Sequence, residues 1–413
     1  MNSGLINIVV AAIIGAASTP GAADAYRQTV SGVDFDYVHD VAAGVPLNEV
    51  VTLHQEHVFA NSDDPREPSI VVKYRLWADG ERRETDGRDL RDNVEKLILY
   101  GQGYVGDAQL RLGSQEVTWG ENPLFPVLDV VNARDVTHPR GFYDPAAKVP
   151  AILANMEWRG ETFSVQAIAA PIPSPMRQPD ETGDFTIAPV RQDFDTDRAE
   201  YGGRLGATAG GIDTKLYYFR HGPRLPAYRL QAFSGDGDLI PDDHRLETYG
   251  ASTSYGGETW LIRGDAARHT EVAATGIGTS LEYSALTQGI VGFNWFDSDQ
   301  DTFGIEVHAD SWARRPLAYT EGAFVDPEQG GQTLAWAALT ANLRLFDGLL
   351  EPSAILYRGL QNNDSLVRTT VLWNISEHWT ASAEYQKTNA ESRSPLLLLN
   401  RTESISVKAS YTY

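Results

Sequence analysis

Basic residues recur at alternate positions among apolar residues in many segments of this chain. A guanidinium group binds carboxylate or phosphate oxygens through two parallel hydrogen bonds, and rings of such groups inside a pore favour anionic solutes. The same groups could instead pair with acids such as Glu116, Asp265 and Glu384, and only brace a wall. Both interpretations predict that the basic side chains share one face, directed toward a lumen. The set comprises Lys73, Arg75, Arg111, Arg204, Arg229, Arg263, Arg344, Arg368 and Lys408.

A second group of candidates follows a strand that ends near Trp119. Pro123 and Pro126 lack the N–H group that a ladder of strands requires, so the strand cannot continue through them. The apolar residues around these prolines indicate a packed turn or helix instead. We predict that residues 121–150 fold inward as a plug-like segment that narrows the lumen. The candidates for this constriction are Trp119, whose indole could stack on a sugar, and the residues that could orient it, Asp129, Asn132 and Asp135.

The sequence carries no motif for catalysis or for a cofactor. His54 and His57 are the only closely spaced histidines, and in a strand a separation of three residues puts them on opposite faces. Asp297, Asp299 and Asp301 alternate as in a calcium loop, but the Gly and Glu that a helix-loop-helix site needs are missing, so a solvated turn is predicted. We therefore predict a protein that is not an enzyme and has no cofactor or metal. The formal charge of −22 makes nucleic acid an unsuitable partner.

Alternation of apolar and polar residues with a period of two runs through most of the chain. Segments such as 163–170, 260–267 and 367–373 show it clearly and are separated by turn residues, which is typical of membrane-spanning β-strands. The predicted fold is all-β: a closed antiparallel transmembrane β-barrel of about 16–18 strands, because bacterial barrels have even strand numbers. Residues 215–220 have apolar groups on both faces, so their outward face stays open. Long outer loops are predicted near 171–200, 236–245, 313–331 and 389–400.

The ends of the chain indicate its destination. Residues 1–25 are predicted to be a signal peptide, because Leu5 to Ala17 is apolar but too short to span a bilayer. No Lys or Arg precedes that run, so a buried helix or a membrane anchor is the alternative. Residues 26–413 are predicted to form one barrel domain, whose last strand ends in the aromatic Tyr413. Such an ending resembles the signal read by the outer-membrane assembly machinery. We expect the outer membrane of a Gram-negative bacterium, with its lipid and that machinery as partners.

The stretch from Lys96 to Asp135 carries an ordered set of residues: Arg111, Leu112, Gly113, Gln115, Trp119, Gly120, Leu128, Asp129, Asn132 and Asp135. This set resembles the motif of alginate-export-like outer-membrane porins. It is equally similar to that of their uncharacterised Gram-negative relatives, which are often encoded beside lipid-exporting pumps of the inner membrane. The resemblance implies a β-barrel channel and does not imply a substrate.

Three functions are consistent with these observations. The first is a porin-like outer-membrane channel that passes a specific solute, anionic or amphiphilic. The second is the outer-membrane station of a lipid or polysaccharide export system, with a periplasmic or inner-membrane partner. The third is a secreted β-protein that binds glycans and stays soluble without detergent.

Overall fold

A computed structural model describes most of the chain from Tyr26 to Thr412. The described residues are 26–40, 45–60, 66–79, 94–122, 124–133, 148–172, 181–182, 185–186, 198–224, 228–230, 239–241, 244–273, 277–278, 283–297, 301–314, 330–361, 363–389 and 403–412. The predicted signal peptide, Asp135, half of the predicted loop at 236–245 and most of each other predicted long loop lie outside them.

β-Strands make up almost all of the regular structure in these residues. The strands before residue 200 are β1 (Tyr26–Asp40), β2 (Val45–Ala60), β3 (Ser69–Asp79), β4 (Val94–Val105), β5 (Ala108–Gln115), β6 (Ala151–Arg159), β7 (Phe163–Ala170), β8 (Glu181–Thr182) and β9 (Phe185–Thr186). Those between residues 200 and 300 are β10 (Glu200–Ala209), β11 (Ile212–His221), β12 (Tyr228–Leu230), β13 (Leu239–Pro241), β14 (Leu246–Gly256), β15 (Trp260–Ala273), β16 (Ile277–Gly278) and β17 (Tyr283–Phe296). The last are β18 (Thr302–Arg314), β19 (Gly330–Asn342), β20 (Leu350–Gly359), β21 (Ser365–Asn374), β22 (Trp379–Asn389) and β23 (Glu403–Thr412).

Eighteen of these strands form one closed antiparallel sheet. Each wall strand pairs with the wall strands before and after it in the chain, and β1 closes the ring by pairing with both β2 and β23. The pairing of β1 with β23 runs from Gly32 opposite Thr412 to Asp40 opposite Ser404. The expected closed barrel is confirmed, at the upper limit of the expected strand number.

The remaining strands lie outside the wall. β8 and β9 form a two-stranded sheet, and β12, β13 and β16 form a three-stranded sheet. Arg229 belongs to β12, the middle strand of that small sheet. Its sequence-based assignment to the lumen wall is therefore wrong. Among the described residues, no helix is long and apolar enough to cross a membrane.

The two rims of the barrel differ. Connections such as Gly106–Asp107 between β4 and β5 and Gly210–Gly211 between β10 and β11 are tight turns at one rim, which we call the short-turn end. The connections at the other rim include the long ones, such as those from β11 to β14 and from β18 to β19, and we call it the long-loop end. In bacterial outer-membrane barrels, short turns face the periplasm and long loops face outward.

The outward face of the wall is apolar. Directly paired residues of antiparallel strands point to the same face, so the register carries the assignment of faces from strand to strand around the ring. Outward positions include Ile70, Leu112, Ile152, Val165, Leu205, Leu216, Ile262, Val291, Leu339, Leu356, Val371 and Val407, which are 40–62% exposed in the isolated chain. An apolar exterior of this kind suits contact with lipid.

The hydrophobic core lies inside the barrel, between the wall and the segment that follows β5. Leu128 and Val131 of this segment pack against Leu153, Phe219 and Ile290 of the wall. This packing settles the orientation of β11: Tyr217 and Phe219 point inward although they are apolar, because the segment covers them. A second apolar cluster on β19–β21 contacts Leu124 and Phe125 of the segment.

Candidate functional site

The inward segment is the connection between β5 and β6, which contains the predicted residues 121–150. Its described residues are 116–122, 124–133 and 148–150. Asn132 joins the beginning of this segment to its end. The Asn132 side-chain amide donates to the carbonyl oxygens of Gln115 and Val149, each at 3.0 Å. Its Oδ1 accepts the backbone N–H of Val117 at 2.7 Å. Asn132 is only 2% exposed, so all three bonds are shielded from water. This residue therefore fixes the root of the segment rather than contacting a solute.

Asp129 and Lys148 form a buried ion pair in the same root. Lys148 Nζ lies 2.8 Å from Asp129 Oδ2 and 2.9 Å from Oδ1, and the two side chains are 5% and 3% exposed. Lys148 also donates to Thr118 Oγ1 at 2.7 Å. Asp129 was a candidate for the constriction, but its charge is neutralised inside the root. Lys148 was not a candidate from sequence; its one signal is a single cation among apolar neighbours, in Ala147-Lys148-Val149.

Trp119 is buried between the segment and the wall. Its exposure is 1%, its Nε1 donates to Gln166 Oε1 at 2.9 Å, and its ring centroid lies 5.4 Å from that of Tyr217 and 5.5 Å from that of Phe219. An indole with no free face cannot stack on a sugar. The structure thus gives Trp119 the role of an internal packing residue.

The segment next turns at Glu121 and Asn122, which rest on the wall. Both backbone N–H groups donate to the carboxylate of Asp265, at 3.0 and 3.1 Å to its Oδ2. Glu121 Oε1 in turn accepts from Lys215 Nζ at 2.5 Å. These contacts on β11 and β15 hold the turn at a defined height in the lumen.

The tip of the segment packs against the opposite group of strands. The Phe125 ring stacks on His308 with centroids 5.3 Å apart and an angle of 11°, and His308 stacks on Trp336 at 5.1 Å and 21°. Phe125 also contacts Tyr357 at 5.3 Å. The segment therefore reaches from its root near β5–β7 to the inner wall of β18–β20. Such a strap narrows the lumen, and its tip is held by ring stacking rather than by charge.

The register places six of the predicted basic residues, together with Lys408, on the inward face of the wall. They are Lys73, Arg75, Arg111, Arg204, Arg263 and Arg368. Arg344 lies beyond the end of β19 at the short-turn end, where its Nε is 3.9 Å from Glu351 Oε1.

Most of these inward cations have an acidic partner, which lies on the adjacent strand or, for Arg204 and Arg263, two strands away. The shortest distances are 2.8 Å for Lys73 with Glu56, 2.7 Å for Arg204 with Glu157, 3.2 Å for Arg263 with Glu306, 2.6 Å for Arg368 with Glu384 and 3.0 Å for Lys408 with Asp34. Gly292 makes the Arg263 pair possible, because a Cβ there would lie 3.2 Å from Glu306 Cγ and 3.4 Å from Arg263 Nε. For these residues the bracing interpretation describes the geometry.

Arg111 is different. Its Nη2 donates to Gln109 Oε1 at 2.8 Å, and its guanidinium carbon lies 6.0 Å from the ring centroid of Tyr100. Its Nε is buried and has no hydrogen-bond partner. Within the described ranges, no carboxylate forms an ion pair with it. Arg111 is thus an inward positive charge that the wall itself does not neutralise.

In the described ranges, no group of three or more His, Asp and Glu side chains is placed so that it could hold a metal ion. His54 faces the lumen, with Nδ1 3.7 Å from Asp34 Oδ2. Asp297 and Asp301 bracket the turn between β17 and β18, where Asp301 Oδ1 accepts the backbone N–H of Arg344 at 2.7 Å.

Comparison with known proteins shows which solved structures share this fold. No family model matches the chain, and no curated protein matches its sequence. OccAB2 of Acinetobacter baumannii superposes with a TM-score of 0.56 at 9% identity, covering 93% of this chain and 97% of that one. The fold is that of outer-membrane porins.

Two further structures agree with this result. OccK2 of Pseudomonas aeruginosa, solved in complex with glucuronate, has a TM-score of 0.55 at 9% identity and covers 93% of this chain and 97% of its own. OmpF of Salmonella typhi, solved with daunomycin, has a TM-score of 0.50 at 8% identity and covers 95% of this chain and 99% of its own. At such identities the likeness shows the fold alone. The resemblance to alginate-export-like porins is not confirmed.

Proposed function

We propose that this protein is an outer-membrane channel of a Gram-negative bacterium and that it passes anionic solutes, including amphiphilic ones, through the lumen beside the inward segment. The apolar outward face and the porin fold support the membrane location. The observation that carries the solute class is Arg111, an inward cation without a carboxylate partner among the described residues. A guanidinium in that condition attracts an anion without first breaking an internal ion pair.

The inner surface of the last wall strands supports a hydrated path. Inward positions on β22 and β23 are polar: Thr380, Ser382, Glu384, Ser404 and Ser406. Polar linings of this kind suit a solute that keeps water around it better than they suit a lipid chain. We therefore favour a channel over a station for lipid export. The apolar exterior likewise favours a membrane channel over a soluble glycan-binding protein.

Arg111→Gln tests the proposal in planar bilayers. We expect the wild-type chain to form conducting pores with an anion-favouring reversal potential in a KCl gradient, and the variant to shift that potential toward cations. Arg358→Gln is the matched control, because Arg358 lies on the outward face of β20, where it bonds Asn363. In liposomes, uptake of glucuronate should fall in the Arg111 variant, whereas uptake of neutral glucose should not.

Two results would contradict the proposal. A folded chain that inserts but never conducts is not a channel. A reversal potential that responds equally to the Arg111 and Arg358 variants would remove Arg111 as the determinant of solute class.

A further inference from the structure

A second basic cluster lies at the long-loop end, outside the set considered so far. It consists of Glu200 at the start of β10, Arg224 in the connection after β11, and Arg245 directly before β14. Arg224 Nη2 lies 2.8 Å from Glu200 Oε2, and Arg245 Nη1 lies 3.4 Å from Glu200 Oε1. Glu200 is 1% exposed, and the two arginine side chains are 14% and 15% exposed.

Among the described residues, the guanidinium groups of Arg224 and Arg245 share a single carboxylate, that of Glu200. Arg198 and Arg220 also act electrostatically on Arg245. Burial lowers the pKa of the Arg245 guanidinium, Glu200 opposes that effect, and the other three arginines reinforce it. Arg245 Nε is buried and has no hydrogen-bond partner. A buried, half-satisfied guanidinium is costly unless something else supplies negative charge.

Arg224 connects this cluster to the inward segment. Its Nε donates to the carbonyl oxygen of Val130 at 2.9 Å, and its Nη2 donates to that of Val131 at 3.0 Å. Arg224 therefore uses its donors on the root of the segment and on Glu200. Within the described part of the chain, Arg245 makes a single long contact to Glu200, at 3.4 Å, and has donors left over. Arg224 therefore holds the segment, and Arg245 has hydrogen-bond donors available for a ligand.

We infer that Arg245, beside Arg224 and Glu200, is a binding site for an oxyanion, either a carboxylate or a phosphate, and that its occupation tightens the hold of Arg224 on the inward segment. A planar guanidinium edge suits two oxygens of such a group. A bound anion reduces the repulsion between Arg245 and Arg224, so Arg224 keeps its bonds to Val130 and Val131 more firmly. Since coupling between sites is reciprocal, an immobilised segment also raises the affinity for the anion.

This inference rests on the proposed channel for its functional readout but not for its binding readout. Inorganic phosphate and acetate are the two probes, added at constant ionic strength to either side of a bilayer that contains the full-length chain. We expect phosphate, acetate or both to lengthen closed periods in a saturable way from the long-loop side and not from the short-turn side. The more effective probe identifies the group that the site prefers.

Three variants separate the site from general electrostatics. Arg245→Gln should raise the half-effective anion concentration by about tenfold or more, the usual effect of losing a charge-assisted bidentate contact. Arg245→Lys keeps the charge but loses the planar edge, so its half-effective anion concentration should fall between those of the wild-type chain and Arg245→Gln. Arg268→Gln is the matched control, because Arg268 is exposed on the outward face of β15, opposite Tyr249, and its loss should change nothing.

A measurement without conductance keeps the two proposals distinguishable. Broadening of the phosphate ³¹P resonance and of the acetate methyl proton resonance by the refolded chain in detergent should disappear in Arg245→Gln and persist in Arg268→Gln. A chain that binds an oxyanion but does not conduct would overturn the channel and leave the site. A conducting chain would overturn the site if Arg245→Gln behaves like wild type, if both sides of the bilayer respond equally, or if neither probe acts.

Discussion

The buried Lys148–Asp129 pair offers the sharpest test of how the inward segment is held. Lys148→Met keeps the length of the side chain and removes its charge, so the buried Asp129 loses its cation while the Trp119 backbone N–H still donates to it at 3.4 Å. Removing one partner of a buried ion pair costs about 3–5 kcal/mol. If that cost falls on docking of the segment, its equilibrium shifts toward the undocked form by roughly a hundred- to several-thousand-fold.

Single-channel recording measures this shift. We expect Lys148→Met to show larger conductance, or conductance that fluctuates between two levels, because the root no longer fixes the strap across the lumen. The double variant Lys148→Met/Asp129→Asn should recover most of the wild-type behaviour, since the uncompensated charge is gone and the amide oxygen can still accept from Trp119. Lys387→Met is the matched control: its pair with Glu403 is outside the lumen and exposed to solvent, so its loss should leave the conductance unchanged.

Wild-type conductance of Lys148→Met, with normal heat-modifiable migration of its barrel on a gel, would show that the buried pair does not hold the segment. A double variant as altered as the single one would show that the effect comes from lost packing rather than from a buried charge.

Three further outcomes follow from the packing of the segment. Gly250→Val should displace the strap and raise conductance, because a Cβ there would lie 2.1 Å from Leu128 Cδ2. Gly289→Val is the control, because nothing lies within 4 Å of a Cβ at that position. Equal effects of the two variants in single-channel recordings would exclude displacement of the strap as the cause. Phe125→Ala should free the tip by removing its stacking on His308 and Tyr357, at a cost somewhat below the roughly 3–5 kcal/mol of a fully buried Phe, and should increase current noise without changing the melting temperature of the barrel. Shortening residues 121–150 should raise conductance in planar bilayers, and an unchanged value would remove the segment from gating.

The alternation of residues was sufficient to predict the barrel because lipid and water impose opposite requirements on neighbouring positions. It failed at 228–230, where the same alternation occurs but the strand that forms is not part of the wall. Arg229 shows the reason: alternation indicates that a segment can be a strand, and it does not say which strand will pair with it. It was also undecided at Tyr217 and Phe219, because their apolar surroundings are supplied by a distant segment.

The sequence predicted where the inward segment lies in the chain, but it predicted the roles of its residues much less well. Wall strand β5 ends at Gln115, before the predicted end near Trp119, so the prolines mark only where a strand can no longer continue. Asn132 and Asp129 do belong to the segment that enters the lumen. Their partners, however, are Val149 and Lys148, which are beyond the recognised motif and become neighbours only when the segment folds back. That no carboxylate of the described residues pairs with Arg111 could not be predicted either, since it depends on the register of β4, β5 and β6.

The contact between β1 and β23 has a consequence for how the molecule assembles. These two strands stand at opposite ends of the wall in chain order, so their ladder is the most non-local one and has the highest entropic cost of closure. Until that ladder forms, both strands present unpaired edges that invite association with other copies. Biogenesis must therefore shelter two open margins at once, and a substitution that weakens the pairing of Asp34 with Ser410 would increase aggregation before it affected transport.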